Sequence, residues 1–132
     1  MPAIRAYLSH PIRGVKGAAA TREDMEANNR MACEFAAMIR VAYPNLDLYV
    51  PAEHDEFIML AYERGILTER DILSVDCDLV SRRDLLIMWL PDMHVSSGMW
   101  QEMREADRVG ISIVWVKDDL SPIGRALEAF RR

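Results

Sequence analysis

Glu102 lies in the stretch Ser96-Ser-Gly-Met-Trp-Gln-Glu-Met-Arg-Glu-Ala106, three residues after Met99 and four before Ala106. In a helix these three positions share one face, and Met99 and Ala106 mark that face as inward. A carboxylate on an inward stripe is rare without a partner or a task. The free N–H groups and dipole of the helix start favour its ionised form. An ionised, partly desolvated glutamate beside a pocket is equipped as a nucleophile or a base. The competing reading is a carboxylate bonded to its own helix start or turned to the rim. A second stretch, Tyr7-Leu-Ser-His-Pro-Ile-Arg-Gly-Val-Lys-Gly17, offers a guanidinium, an ammonium, mobile glycines and a following helix start. Such a set suits an anionic group such as phosphate, and it equally reads as a solvated glycine-rich connection.

Other chemistries find less support. Neither GxxxxGK[ST] nor GxGxxG occurs, so no nucleotide-cofactor fingerprint is present and no cofactor is expected. Asp76 and Asp78 flank Cys77, but His10, His54 and His94 are scattered without paired ligand spacing, so no metal is expected. Cys77 has neither a CxxC partner nor a histidine close in sequence. Most of the nine methionines are expected to pack in the core, and Arg82-Arg83 and Arg131-Arg132 to be solvated surface.

The elements that must position these residues follow from periodicity. Leu85–Leu90 and Ile111–Val116 are nearly continuous apolar runs, as expected of parallel strands covered on both faces. Ala3–Leu8 and Leu46–Val50 read as two further strands. Thr21 caps a helix in which Met31, Phe35, Met38, Ile39 and Ala42 recur at helical spacing before Pro44 ends it. Phe57–Gly65, Glu69–Arg82, Ser97–Gly110 and a segment after Pro122 make the remaining helices. Strands alternating with helices predict a single α/β domain over 1–132, a doubly wound sandwich with a mostly parallel sheet of four to five strands and helices on both faces, flavodoxin or Rossmann-like. Ligands of such sheets sit where loops leave the carboxyl ends of the strands. That rule selects the loops Ser9–Ala20 and Pro91–Ser97.

With 132 residues, 51% hydrophobic and 28% charged, the chain suits one folded core. A formal charge of −5 argues against a nucleic-acid polymer as partner, and the longest apolar run is far too short to span a membrane. Two cysteines and no secretory pattern at the start predict a cytoplasmic protein.

Taken together, Tyr7-Leu-Ser-His-Pro-Ile-Arg-Gly14, Asp84-Leu-Leu-Ile-Met-Trp-Leu-Pro, Ser96-Ser-Gly-Met-Trp-Gln-Glu102 and Gly110-Ile-Ser-Ile-Val resemble the nucleoside 2-deoxyribosyltransferase superfamily. The resemblance runs from about residue 3 to residue 116 and is thin between 40 and 70. It implies N-glycosidic chemistry in which Glu102 attacks the anomeric carbon, Tyr7 orients that nucleophile, and Asp76 assists departure of the base. It also implies that Gly98, Ile12, Arg13 and Gly14 line the substrate. His10 stands where the family usually has glycine, so it either reshapes the turn or faces the ligand. Ser96, six residues before Glu102, resembles the serine of relatives that hydrolyse nucleoside 5′-monophosphates, where free-nucleoside transferases carry aspartate. A serine can donate to a phosphate that an aspartate would repel. The implied activity is cleavage of the base–sugar bond of a nucleoside 5′-monophosphate, 2′-deoxy in preference, through a glycosyl–Glu102 intermediate resolved by water. Base exchange, or nucleotide binding without catalysis, is the alternative. The same resemblance implies a homodimer or higher homo-oligomer with shared active sites.

Overall fold

The computed structural model describes residues 3–131. Strands β1 (Arg5–Ser9), β2 (Asp47–Tyr49), β3 (Leu85–Trp89) and β4 (Ser112–Val116) form one sheet in the order β2-β1-β3-β4, with every neighbouring pair parallel. Around it lie α1 (Arg22–Ala42), α2 (Asp55–Glu63), α3 (Glu69–Ser81), α4 (Ser97–Val109) and α5 (Ser121–Phe130). This is the doubly wound α/β arrangement, flavodoxin or Rossmann-like.

Side chains alternate across the sheet with period two. Ala6, Leu8, Ile87 and Trp89 pack on one face against Ala32, Phe35 and Ile39 of α1 and Ile123 of α5. Tyr7, Leu86 and Met88 pack on the other against Val80 of α3 and Met99 and Ala106 of α4. The helices start where side chains satisfy their free N–H groups. Thr21 and Asp24 make a capping box for α1, Thr68 and Asp71 make one for α3, and Ser96 accepts from the Met99 N–H at the start of α4. Gly110 ends α4 at φ +82°, a left-handed conformation costly for any residue with a Cβ.

Three packing expectations need correction. The inward stripe of α1 is Ala32, Phe35, Ala36 and Ile39, while Met31 and Met38 are exposed. Phe35 stacks on Trp89 with ring centroids 4.4 Å apart, and that contact fixes the rotation of the helix. Among the described methionines only Met88 and Met99 are buried, so most do not serve the core. The last strand is likewise not covered on both faces. β4 is an edge strand and leaves Trp115 44% exposed, whereas every residue of β3 is buried. A run of apolar residues looks the same in a central and an edge strand; only the pairing order separates them.

The chain order reverses between β1 and β3, since β2 lies on one side of β1 and β3 on the other. Asp84 ties the base of this junction: its carboxylate accepts from the Arg5 N–H at 2.9 Å, and its own N–H donates to the Arg5 carbonyl at 2.7 Å. The loops after β1 and β3 leave the opposite end of these strands, where ligands of such sheets bind. No helix among the described residues is long and apolar enough to cross a membrane.

Candidate active site

β1 presents Tyr7 and Ser9 two residues apart, hence on the same face of the sheet. α4, entered from the loop after β3, lays Glu102 over them. Glu102 is 7% exposed, and both of its oxygens are held by hydroxyls from β1. The Tyr7 hydroxyl donates to Oε2, and the Ser9 hydroxyl donates to Oε1 at 2.8 Å. Tyr7 and Ser9 are themselves fully buried. Asp76 of α3 lies close enough for its charge to act on both Tyr7 and Glu102. Three elements thus bring two carboxyls and two hydroxyls together at the switch in strand order.

Burial sets the electrostatics. It pushes Glu102 up to about 7, with the Asp76 charge adding to the rise and the two hydroxyl donors opposing it. It also pushes Asp76 up to about 6, against the Tyr7 hydroxyl. Glu102 therefore does not behave as an acid kept ionised by its helix. It sits in the second turn of α4, beyond reach of the free N–H groups, and desolvation outweighs the dipole there. Near neutral pH both carboxyls are therefore poised to exchange a proton, Glu102 holding it more readily than Asp76. Tyr7 stays protonated, because burial, and then the charges of Glu102 and Asp76, raise it well above the usual phenol range. The phenol donates to Glu102, and its hydroxyl also favours the ionised form of Asp76. Attack by Glu102 therefore needs its proton to leave or to pass to Asp76, which then becomes the acid.

The other residues singled out from sequence fall at different places. Ser96 is half-buried and caps α4; its oxygen accepts from the Met99 N–H at 3.3 Å, which leaves its hydroxyl proton available. Gly98 follows in the first turn of α4, where an added Cβ would meet only Leu73, at an ordinary 3.9 Å. Arg13 reaches across to α3 and pairs with Glu69 at 2.5 Å. Ile12 is exposed, and its carbonyl accepts from Asn28 of α1 at 2.8 Å. Gly14 is buried at φ +65°, with the same Asn28 amide 3.3 Å from where a Cβ would be. His10 is buried, and both ring nitrogens are used within the chain: Nδ1 donates to the Pro11 carbonyl at 3.1 Å and Nε2 accepts from the Ala52 N–H at 3.2 Å. Burial pushes it down to about 4, so it is an uncharged pin between the turns that follow β1 and β2. The structure thus groups Tyr7, Asp76 and Glu102, sets Ser96 and Gly98 at the helix start above them, and anchors His10, Ile12 and Gly14 to the scaffold.

Sequence reasoning missed three participants. Ser9 lies on β1 and not in the loop after it, and its spacing of two from Tyr7 is the signal that marks it. Tyr49, at the end of β2, stacks on Tyr7 at 5.5 Å and on His54 at 4.9 Å, continuing the rings from the interior to the surface. Arg83 is not solvated surface: its guanidinium lies 5.3 Å over the Tyr49 ring and its Nε is buried without a partner. Among the described residues no group of three or more His, Cys, Asp or Glu converges to hold a metal ion. Cys77 has its thiol pushed up to about 11 by burial and neighbouring acids, a poor thiolate source. Comparison with protein-family models, with curated proteins and with solved structures finds no match for this chain.

Proposed function

We infer that the chain is an N-glycosidase acting on nucleoside 5′-monophosphates, with 2′-deoxy sugars favoured. The observation that carries this reading is the buried Glu102 carboxyl gripped at both oxygens by Tyr7 and Ser9, with Asp76 against the same phenol. Glycosidic cleavage needs a carboxylate to meet a cationic anomeric carbon and an acid to help the leaving group depart. In this reading the ionised Glu102 forms a bond to C1′ as the C1′–N bond breaks. Asp76 gives its proton to the leaving base. Water then attacks C1′, returns a proton to Asp76 and releases the sugar phosphate and free Glu102.

The phosphate is assigned to the start of α4. The Ser96 hydroxyl and the free N–H groups of that first turn suit a dianion. Arg13 is the cation of the loop after β1, and its exposed pair with Glu69 is weak enough for a phosphate to replace. The test is a panel of deoxy- and ribonucleoside monophosphates, with free base followed by chromatography. Base release is expected from at least one monophosphate and not from the matching free nucleoside. Glu102→Gln should lower the rate by ~10³-fold or more while keeping nucleotide binding, and Asp76→Asn by ~10²–10⁴-fold. Full activity in Glu102→Gln would sink the reading. A new nucleotide formed on adding a second base would turn it to base exchange.

A homo-oligomer belongs to the same reading. Phe57, Ile66 and Val75 on and around α2 and α3 are more than half exposed, an unusual load of apolar surface for a lone domain. Sedimentation should give at least twice the chain's 15.1 kDa.

A further inference from the structure

A cavity of about 340 Å³ opens between α1 and α2, with Ile12 from the loop after β1 as a further wall. Its size falls in the lower range of small-molecule sites. None of Tyr7, Ser9, Asp76 or Glu102 lines it, so it is separate from the carboxyl cluster. Its walls are of two kinds. Met25, Met59, Leu60 and Ile12 are apolar, while Glu26, Asp55, Glu56 and Glu63 set four carboxylates against one guanidinium, Arg22.

That guanidinium is already shared. Arg22 pairs with Glu26 at 3.3 Å and with Glu63 at 3.1 Å, while Asp55 and Glu56 have no ion pair among the described residues. Burial first, and then the nearby Glu26, hold the Asp55 carboxyl above its ordinary range, against Asn29 and Arg22. Asn29 forms part of the same wall and is 8% exposed. Its side chain favours the charged form of Asp55, yet its own Oδ1 is buried with no partner. An unpaired buried acceptor is costly and calls for a donor. α2 buries none of its own residues, so its inner face is left to this cavity.

We propose that the α1–α2 cavity binds a small organic cation, an ammonium or guanidinium head on a short apolar stem. The polar walls unsatisfied by the chain are acceptors, so the ligand must bring N–H donors and positive charge. The head sits between Asp55 and Glu56 and donates to Asn29, and the stem lies along Met25, Met59 and Leu60. A bare metal ion does not suit, because among the described residues no three ligating side chains converge. An anion would meet unscreened carboxylates. This proposal does not rest on the glycosidase reading.

Agmatine, which joins a guanidinium to an amine by a butyl stem, is the probe, and 1,4-butanediol is the uncharged control. Titrated into the whole chain and followed by methyl NMR, agmatine should shift Met25 and Met59 saturably while leaving Met99, beside Glu102, unmoved. Its affinity should fall with added salt. The double variant Asp55→Asn, Glu56→Gln should bind it about tenfold or more weakly, without change in base release. Unmoved Met25 and Met59 methyls, equal shifts with butanediol, or unaltered affinity in the double variant would each overturn the proposal. The methyl map is read on the wild-type chain and stands even if the variant folds poorly.

Discussion

Tyr7 is the residue on which the carboxyl cluster turns. Fully buried and held well above the ordinary phenol range by burial first, it has one proton to give and directs it to Glu102. Tyr7→Phe would remove a donor that favours the ionised carboxylate, so Glu102 would rise further above about 7. The acid limb of the pH–rate profile should move to higher pH, and a limb that stays in place would separate Tyr7 from the nucleophile. The same variant leaves a buried carboxyl oxygen short of a partner and should cost roughly 1–3 kcal/mol of stability near neutral pH. Glu102 itself was legible in the sequence, because its spacing to Met99 and Ala106 put a charge on a buried stripe. Its protonation was not. The dipole argument depends on the sequence position of the helix start, whereas desolvation depends on how α3, α4 and β1 close over the carboxyl, which no local pattern encodes.

At the level of elements, α4 carries two tasks at one end. Ser96 closes the first turn by accepting from Met99, and its hydroxyl proton remains for an anion. Aspartate is an equally good cap, so Ser96→Asp should keep the melting temperature within about a degree or two. It should raise KM for a nucleoside monophosphate by ~10-fold or more through charge repulsion, with a smaller effect on the free nucleoside. Equal KM for both would remove the phosphate from this helix start. The loop after β1 shows the reverse situation. Arg13, Ile12 and Gly14 form the turn expected to line the substrate, and Asn28 and Glu69 hold that turn from α1 and α3 through the Ile12 carbonyl and the Arg13 side chain. These partners lie 16 and 56 positions away, beyond any motif. The same limit explains Met31 and Met38, which fit a helical period but lost the inward face to the smaller Ala32 and Ala36 beside Phe35.

For the molecule as a whole, the buried carboxyls make stability depend on pH in a definite sense. Glu102 rises from an ordinary 4.5 to about 7, and Asp76 from 3.8 to about 6, both chiefly by burial. The native state then holds protons that the unfolded chain has already released, so the contribution is fully present below pH ~4 and is lost as pH rises through about 7. Wild type and Glu102→Gln should melt alike near pH 4, and the variant should be the more stable at pH 8. A wild-type curve that rises relative to the variant between those limits would contradict the desolvated carboxyl. The amino-acid sequence alone determined the alternation of strands and helices, the Thr21 cap and the shared helix face of Met99, Glu102 and Ala106. Each of these follows from periodicity or from contacts within one turn. Only the tertiary structure decided that Ser9 joins Tyr7 on Glu102, that His10 is spent on the scaffold, and that β4 is an edge. It also decided that α1 and α2 enclose a cavity rich in carboxylates. Those outcomes depend on which distant segments meet, and on the water their meeting excludes.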